Sequence, residues 1–236
     1  VAGAIGVDTA GLKTLSTFTD VGWNIDGQGG TSSIWRIYEG QTAPLIRYFM
    51  TGLTVTGGAG TKTYDGSAVS ADVGTLAYNP SGYDSSLVLG TAQYTASSAN
   101  AGSYSGSDLS LDGLYSSQLG YDISFVSGSL TVGKASLEVT AKNDSKTYDG
   151  NAYSGGNGVT YAGFVNGEGA SVLSGTVGYG GTSQGAVNAG TYAITASGLS
   201  SGNYDISYVA GTLTFGVATV NLTITPDAAT KTYGEP

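Results

Sequence analysis

Apolar and polar residues alternate along three short and similar stretches of the chain. They are residues 53–56 (LTVT), 137–140 (LEVT) and 222–225 (LTIT). A period of two with one apolar face is the pattern of a half-buried β-strand. A Lys-Thr-Tyr motif follows each stretch. We therefore predict that each stretch opens a β-rich module.

Other strings recur in the same order and at nearly the same spacing. They are KTYDG (62–66 and 146–150, with KTYGE at 231–235), NAGSY/NAGTY (100–104 and 188–192) and YDISFV/YDISYV (121–126 and 204–209). Anchors that keep one order and one spacing indicate tandem modules. We predict a first segment 1–50, module one at 51–134, module two at 135–218 and the start of a third module at 219–236. We expect the chain to be a piece of a longer array.

Each complete module is expected to end in a β-hairpin. Residues 121–125 and 204–208 alternate in polarity, and further apolar positions follow at 130–132 and 213–215. Gly128 and Gly211 stand between the two strands of each pair, where a bend is needed. The prediction is two antiparallel strands joined at each of these glycines.

The Asp-Gly pairs at Asp65 and Asp149 predict turns. Aspartate bonds to its own backbone two residues later, and the following glycine accepts a positive φ. The alternative is calcium binding at Asp65 and Asp149, helped by Asp72, Asp144 or Asp227. Calcium takes six to eight oxygen ligands, and the chain has no EF-hand string. The turn is the favoured prediction, and calcium stays open.

The first fifty residues lack the module strings. Two strand candidates, 21–25 and 34–38, are centred on Trp23 and Trp35 and are separated by a glycine-rich turn. This pattern fits the last rungs of a parallel β-solenoid, or a small antiparallel sheet. Trp23 and Trp35 are candidates for ligand binding by stacking on a sugar, with core packing as the simpler alternative.

The predicted fold class is all-β, with elongated modules that follow one another almost without a linker. Only residues 133–136 separate the last strand of module one from the first strand of module two. Residues 163–173 could form one helical turn on a surface excursion. The strand pattern fits an immunoglobulin-like sandwich or a β-grasp-like fold, and the choice stays open.

Composition narrows the class of partner. The 236 residues carry a formal charge of −9 with only 8 basic residues, so the surface repels phosphate groups. We expect no nucleic-acid binding and no membrane insertion of this segment. Abundant glycine and tyrosine, 40 and 17 residues, favour strands and turns over helices.

Reactive centres are not expected. The chain has no histidine and no cysteine, which removes His-based triads, Cys nucleophiles and His-ligated metal sites. Tyr64, Tyr148 and Tyr233 follow the opening strands, and we predict that they pack into the core, with sugar stacking as the alternative. Solvated side chains are expected for Lys134, Lys142 and Lys146, against an isopeptide bond to an asparagine assisted by Glu138.

The repeated strings resemble a known set of bacterial modules. The KTYDG opening, the NAGTY centre and the YDISYVAGTLT close are similar to the YDG and MBG repeat modules of filamentous-haemagglutinin-like surface exoproteins. Residues 231–234 resemble the YGX-type start of such a module. Residues 17–48, with Trp23 and Trp35, resemble the GLUG motif that often ends a β-helical passenger.

This resemblance implies an exported adhesin or matrix protein, secreted by a two-partner pathway, and a β-grasp-like fold related to mucin-binding modules. It supplies no catalytic residue. We expect a non-enzymatic, stiff stalk or spacer at the surface of a Gram-negative bacterium, acting in adhesion or in a biofilm matrix. The alternatives are a carbohydrate- or mucin-binding array and a self-assembling extracellular fibre. The expected partners are a host or matrix glycan or glycoprotein, or other copies of the chain. No cofactor is expected apart from the open calcium alternative.

Overall fold

The computed structural model describes residues 6–219, 221, 223–228 and 233–234. The chain divides into two compact units. The first comprises residues 1–137, 163–172 and 200–205, and the second comprises residues 138–162, 173–199 and 206–236. The first unit therefore includes two short segments from the interior of module two. The bounds of modules one and two stay a prediction, and the names are kept here for residues 51–134 and 135–218.

Short strands dominate both units. The first fifty residues hold α1 (Ser16–Thr19), β1 (Ile25–Asp26), β2 (Trp35–Arg36) and β3 (Leu45–Ile46). Module one holds β4 (Thr51–Thr56), β5 (Ala59–Thr63), β6 (Val69–Ser70), β7 (Ala77–Asn79), β8 (Leu89–Ala96), β9 (Gly102–Ser105), β10 (Leu109–Tyr115), β11 (Tyr121–Val126) and β12 (Ser129–Gly133). Module two holds β13 (Ala135–Ala141), β14 (Asp144–Thr147), β15 (Val159–Ala162), β16 (Ser174–Gly180), β17 (Gly190–Ser200), β18 (Tyr204–Val209) and β19 (Gly211–Gly216). Single 3-10 turns span Gly11–Lys13, Arg47–Phe49, Ser85–Leu87, Gly106–Asp108 and Ala170–Val172.

The first fifty residues form a small sheet of their own in the order β1-β2-β3. The pairing of β1 with β2 is parallel, whereas β2 and β3 are antiparallel. Phe18, Ile25 and Ile37 form a buried cluster beside this sheet, and Leu15 and Trp35 pack against it. Both Trp-centred stretches therefore contribute strands, as predicted, although each strand is only two residues long.

Module one divides its strands among three sheets, in the orders β11-β4-β7, β5-β12-β9 and β10-β8-β6. The opening strand β4 lies in the centre of the first sheet and pairs in parallel with β11. Leu53 and Val55 on β4 are fully buried, while their neighbours are partly exposed. The period-two prediction is thus confirmed for this strand.

The predicted closing hairpin is wrong. Strands β11 and β12 belong to different sheets, and they pair in parallel with β4 and β5. Gly128 is where the chain passes from one sheet to the other. A Cβ on Gly128 would lie 2.2 Å from the carbonyl oxygen of Gly58, so the backbones approach too closely for a side chain. Likewise β18 and β19 lie in separate sheets, so the hairpin prediction at Gly211 is also wrong.

Module two repeats most of these strand pairings, in two sheets rather than three. Its sheets are β15-β13-β18 and β14-β19-β17-β16, in which β13 and β19 take the places of β4 and β12. The second unit has its own buried cluster, formed by Ala141, Tyr153, Ala186, Ile194, Ala196, Leu213 and Phe215. The shared topology confirms the tandem repeat that the strings predicted.

The all-β prediction is also confirmed. Residues 51–218 contain 3-10 turns but no α-helix, and each module splits its strands among separate sheets. The choice between an immunoglobulin-like sandwich and a β-grasp-like fold stays a prediction. The predicted helical turn within 163–173 is present as the 3-10 turn Ala170–Val172. Within the predicted third module, Leu222, Lys231 and Thr232 lie outside the described residues.

Candidate functional site

A polar cleft of about 370 Å³ opens in the first unit, beside strands β2, β8 and β10. Its lining includes Arg36, Glu39, Gln41, Gln93, Asp112 and Tyr115. An adjoining space of about 480 Å³ shares Gly27, Asp112 and Phe125 with it. Amides, carboxylates and an aromatic ring in one cleft suit a ligand that offers hydroxyl groups.

Asp112 is the unusual member of this cleft. It lies at a bulge in β10, where the register against β8 shifts between Asp112 and Leu114 and Gly113 has φ +89°. Its Oδ1 atom is buried and has no hydrogen-bond partner among the described residues. A buried acceptor without a donor is costly, so this oxygen is suited to accept a bond from a bound hydroxyl or amide.

A buried charge cluster lies next to the cleft. Arg36 is only 2% exposed, and its Nε lies 3.2 Å from Asp122 Oδ1. Arg47 Nη1 lies 2.5 Å from Asp122 Oδ2, so one carboxylate faces two guanidinium groups. Burial lowers the pKa of Arg36. Because buried charges must be paired, this cluster fixes the first fifty residues against β11.

Tyr38 completes the same cluster from the backbone side. Its hydroxyl donates to the carbonyl of Tyr121 at 2.6 Å and accepts from the amide of Ile123 at 2.9 Å. The Arg36 guanidinium lies 4.0 Å from the centre of the Tyr38 ring, in cation–π geometry. Burial raises the pKa of the Tyr38 phenol. The cluster is a structural junction in which the opposite charges are paired, although Arg36 Nε, Arg47 Nε and Asp122 Oδ1 are buried without a hydrogen-bond partner among the described residues.

A second polar contact joins the first KTYDG turn to a loop from module two. Glu168 accepts hydrogen bonds from the phenols of Tyr64 and Tyr204, each at 2.5 Å, one on each carboxylate oxygen. The Tyr64 and Tyr204 rings meet edge to face with centroids 5.5 Å apart, and Phe164 meets Tyr204 in the same way. The hydrogen bond to Glu168 raises the pKa of Tyr64 to about 12. We call Tyr64, Phe164, Glu168 and Tyr204 the Glu168 cluster.

Asn203, the residue before Tyr204, extends this contact. Its Oδ1 accepts from the amide of Ala101 at 2.9 Å, and its Nδ2 donates to Asn100 Oδ1 at 3.0 Å. Asn100 and Ala101 belong to the NAGSY string of module one. Two repeated strings of module one, KTYDG and NAGSY, thus both contact the segment 200–205 of module two, and KTYDG also contacts the segment 163–172.

The tyrosines predicted to be core residues behave differently from one another. Tyr64 is 5% exposed, which confirms the prediction at that position. Tyr148 is 45% exposed and Tyr233 is fully exposed, so the prediction of core packing is wrong for both. Tyr148 is more exposed than Tyr64 because, among the described residues, no carboxylate contacts it as Glu168 contacts Tyr64.

The two tryptophans lie outside the polar cleft. Their rings are 5.2 Å apart and tilted by 44°, and Phe18 lies 5.1 Å from Trp23. Trp35 packs on the buried cluster of Phe18, Ile25 and Ile37, whereas Trp23 remains 42% exposed. Sugar binding at Trp23 and Trp35 stays a prediction, for which Trp23 offers the accessible ring.

Asp65 and Asp149 both form Asx-turns. Asp65 Oδ1 accepts from the amide of Ser67 at 2.8 Å and from Lys62 Nζ at 2.7 Å, and the bond from Lys62 lowers the pKa of Asp65. The amide of Asn151 bonds Asp149 Oδ1 at 3.0 Å, and this bond, with a contribution from Lys146, lowers the pKa of Asp149. Calcium binding at Asp65 and Asp149 stays a prediction. The described part of the chain contains no group of three or more acidic side chains placed to hold a metal ion.

Two of the three candidate lysines for an isopeptide bond make ordinary polar contacts. Lys134 Nζ donates to the carbonyl of Ser201 at 3.0 Å. Lys146 Nζ donates to the carbonyl of Asn151 at 2.9 Å and lies 3.0 Å from Asp149 Oδ1.

Among the described residues, no helix is both long and apolar enough to cross a membrane.

One family model matches module two, and one solved structure resembles part of the chain. Residues 137–214 match the family model described as MBG domain (YGX type). A solved structure of a cell surface adhesin from Lactobacillus reuteri is 20% identical over 36% of this chain and 99% of that chain, with a TM-score of 0.25. A likeness of that size supports no inference about the site. No protein of curated function matches the chain. The MBG part of the resemblance is therefore confirmed for module two, while its filamentous-haemagglutinin, YDG and GLUG parts stay predictions.

Proposed function

We propose that this chain is a non-enzymatic repeat segment of a bacterial surface adhesin and that it acts as a stiff spacer. The Glu168 cluster is the observation that carries the proposal. It ties the KTYDG turn of module one to interior loops of module two through charged and edge-to-face aromatic contacts. Such contacts oppose hinge motion between successive modules.

The covalent connection supports the same role. Only Lys134 stands between the end of β12 and the start of β13. The amide of Ala135 donates to the carbonyl of Asn203 at 3.0 Å, so the backbone at this connection is itself hydrogen-bonded. A one-residue connection leaves little freedom for the modules to move independently.

Small-angle scattering of the chain in solution tests the spacer role. Modules arranged in series would add about 35–45 Å each, if their strands run along the long axis. The predicted result is a radius of gyration well above the value of about 18 Å expected for a compact globule of this length. A value near 18 Å would contradict the spacer role.

Glycan binding is the second candidate function, and Asp112 favours it. The polar cleft combines the unpartnered Asp112 oxygen with Gln93, Gln41 and the Tyr115 ring, a set suited to a sugar. A glycan array distinguishes the two proposed sites. Binding lost in Asp112→Ala and kept in Trp23→Ala places the ligand in the cleft, and the reverse result favours the tryptophans. The absence of binding to any glycan would contradict this second function.

The cellular setting is also part of the proposal. The MBG-type match of module two supports a position at the cell surface or outside the cell. We propose that the partner is a host or matrix glycan or glycoprotein, and that the source is a Gram-negative bacterium with two-partner secretion. Surface labelling of intact cells with an antibody against the chain tests the position directly.

A further inference from the structure

One end of module one is covered by specific contacts. It consists of Tyr64, Gly66, Asn100 and Ala101, which we call the Tyr64 face. Glu168 accepts from the Tyr64 phenol, Asn203 bonds both Asn100 and the amide of Ala101, and Asn166 lies against Gly66. A Cβ placed on Gly66 would lie 2.7 Å from the Asn166 side chain, so the packing is close.

Module two carries the same four residues at its corresponding end. They are Tyr148, Gly150, Asn188 and Ala189, which we call the Tyr148 face. The local structure is the same, since Gly66 and Gly150 both have φ +78°. The hydroxyl of Tyr104 donates to the Asn100 carbonyl at 2.7 Å, and Tyr192 donates to the Asn188 carbonyl at 3.0 Å. The Tyr148 face is therefore built in the same way as the Tyr64 face.

The two faces differ in what covers them. Tyr148 is half-exposed and its phenol has no partner among the described residues, whereas Tyr64 is buried. No atom lies within 4 Å of a Cβ placed on Gly150. Asn100 and Asn188 are both exposed, but Asn100 Oδ1 accepts from Asn203, whereas the Asn188 side chain has no partner within the described part of the chain. Ala189 is exposed and Ala101 is partly buried. The Tyr148 face thus presents the donors and acceptors of the Tyr64 face without the groups that satisfy them.

We propose that the Tyr148 face binds one further module of the same kind, which supplies a carboxylate and an Asn-Tyr pair in the places of Glu168, Asn203 and Tyr204. The expected hydrogen bonds are those observed at the Tyr64 face. The phenol of the face donates to the partner's carboxylate, and the backbone amide of the face's alanine donates to the partner's asparagine oxygen. The side-chain oxygen of the face's asparagine accepts from the side-chain nitrogen of the partner's asparagine. The inference deepens the proposed spacer function and rests on it, because both need modules in series.

The requirement for a hydrogen-bonded carboxylate also provides selectivity. The chain carries a formal charge of −9, so two acidic modules repel one another unless specific donors offset the repulsion. The phenol and the alanine amide are such donors. A module without an acidic residue at the position of Glu168 leaves the Tyr148 phenol without its acceptor, so we expect such a module to bind the face poorly.

The test compares the existing chain with a longer one in which a second copy of residues 135–218 follows residue 217. In the existing chain, Tyr64→Phe should lower the midpoint of thermal unfolding by about 2–6 °C, and Tyr148→Phe should leave it within about 1 °C. In the longer chain, Tyr148→Phe should lower the midpoint as Tyr64→Phe does. Glu168→Gln in the appended copy alone should abolish that effect of Tyr148→Phe.

The proposal is overturned if Tyr148→Phe leaves the midpoint of thermal unfolding of the longer chain unchanged, whether or not the appended copy folds. The proposal is also contradicted if Tyr148→Phe still lowers the midpoint in a longer chain whose appended copy carries Glu168→Gln. The partner of the Tyr148 phenol would then be a different group. The spacer role fails separately. A radius of gyration of the existing chain near that of a compact globule would contradict the spacer role. The unfolding midpoints of the longer chain would still decide whether the Tyr148 face binds a further module.

Discussion

The phenol oxygen of Tyr64 lies 2.5 Å from Oε1 of Glu168, a residue 104 positions later in the chain. The second oxygen of the same carboxylate accepts from Tyr204. Glu168 stands in a tight loop, in which Asn166 and Gly167 have positive φ and the amide of Glu168 bonds the Val165 carbonyl. A sharply folded loop therefore carries the acid that satisfies two buried tyrosines.

Replacement of Asn203 by alanine should destabilise the first unit. The change removes the bonds to Ala101 and Asn100, which together should be worth about 1–3 kcal/mol of the free energy of unfolding. Denaturant unfolding measures the loss. Asn188→Ala is the control, because Asn188 takes the place of Asn100 in module two and its side chain has no partner among the described residues, so its effect should stay within about 0.5 kcal/mol. Equal effects of the two changes would contradict this reading of the contact.

Alkaline pH should weaken the fold over a defined range. The bond to Glu168 raises the pKa of Tyr64 to about 12, and burial, with a bond to Asp144, raises the pKa of Tyr153 to about 12. Tyrosines in the unfolded chain lose their protons near pH 10. Between pH 10 and 12 the native state then holds more protons than the unfolded state. The stabilisation is complete below pH 10 and is lost as the pH rises through 12.

Phenolate absorbance and the thermal midpoint measure this effect together. Tyr64 and Tyr153 should be among the tyrosines that titrate late in the folded protein, together with Tyr38, Tyr78 and Tyr204, whose pKa values burial also raises. Tyr64→Phe should remove one of these late-titrating groups. If every tyrosine ionised near pH 10 with no fall in the midpoint, the hydrogen bonding of Tyr64 and Tyr153 would be other than described.

Asp122→Asn should be among the most damaging single changes. It removes the negative charge that faces Arg36 and Arg47 and leaves buried guanidinium groups without their counter-ion. Breaking a buried ion pair in this way costs about 3–5 kcal/mol. Asp205, the corresponding residue of module two, is exposed, so Asp205→Asn serves as the control. Limited proteolysis should release the first fifty residues in the first variant alone, and similar digestion of the two would argue against the junction.

Gly128→Ala should destabilise the chain through the backbone. The added methyl group would lie 2.2–2.3 Å from the carbonyl oxygens of Gly58 and Gly57, where β11 passes into β12. We expect a loss of about 1–3 kcal/mol in denaturant unfolding. Gly133→Ala is a control with space available, since its nearest contact is 3.8 Å away. A neutral Gly128→Ala would mean that the two sheets do not meet as closely as described.

Local pattern predicted the opening strands well but not their partners. Leu53 and Val55 alternate with polar residues, and that period is enough to place β4 and its buried face. The pairing of β11 with β4 joins residues far apart in the sequence, and nothing near Gly128 distinguishes it from a hairpin. The hairpin prediction failed because the pairing is decided by tertiary contacts between distant strands.

Identical motifs also concealed different environments. Asp122 and Asp205 stand in the same string, yet only Asp122 meets two arginines from the first fifty residues. Tyr64 and Tyr148 differ in the same way, because only Tyr64 lies under Glu168. The polar cleft was missed because its residues come from separate strands. The bulge at Gly113, which isolates Asp112, has no strong signal in the sequence.

The double-mutant cycle between Tyr64→Phe and Glu168→Gln is the most direct test of the account. Each single variant and the double variant are unfolded in denaturant at neutral pH. A hydrogen bond to an ionised carboxylate should give a coupling free energy of about 1.5–3 kcal/mol. Effects that add to within about 0.5 kcal/mol would show that the two residues act independently, and the contact proposed to join successive modules would then be absent in solution.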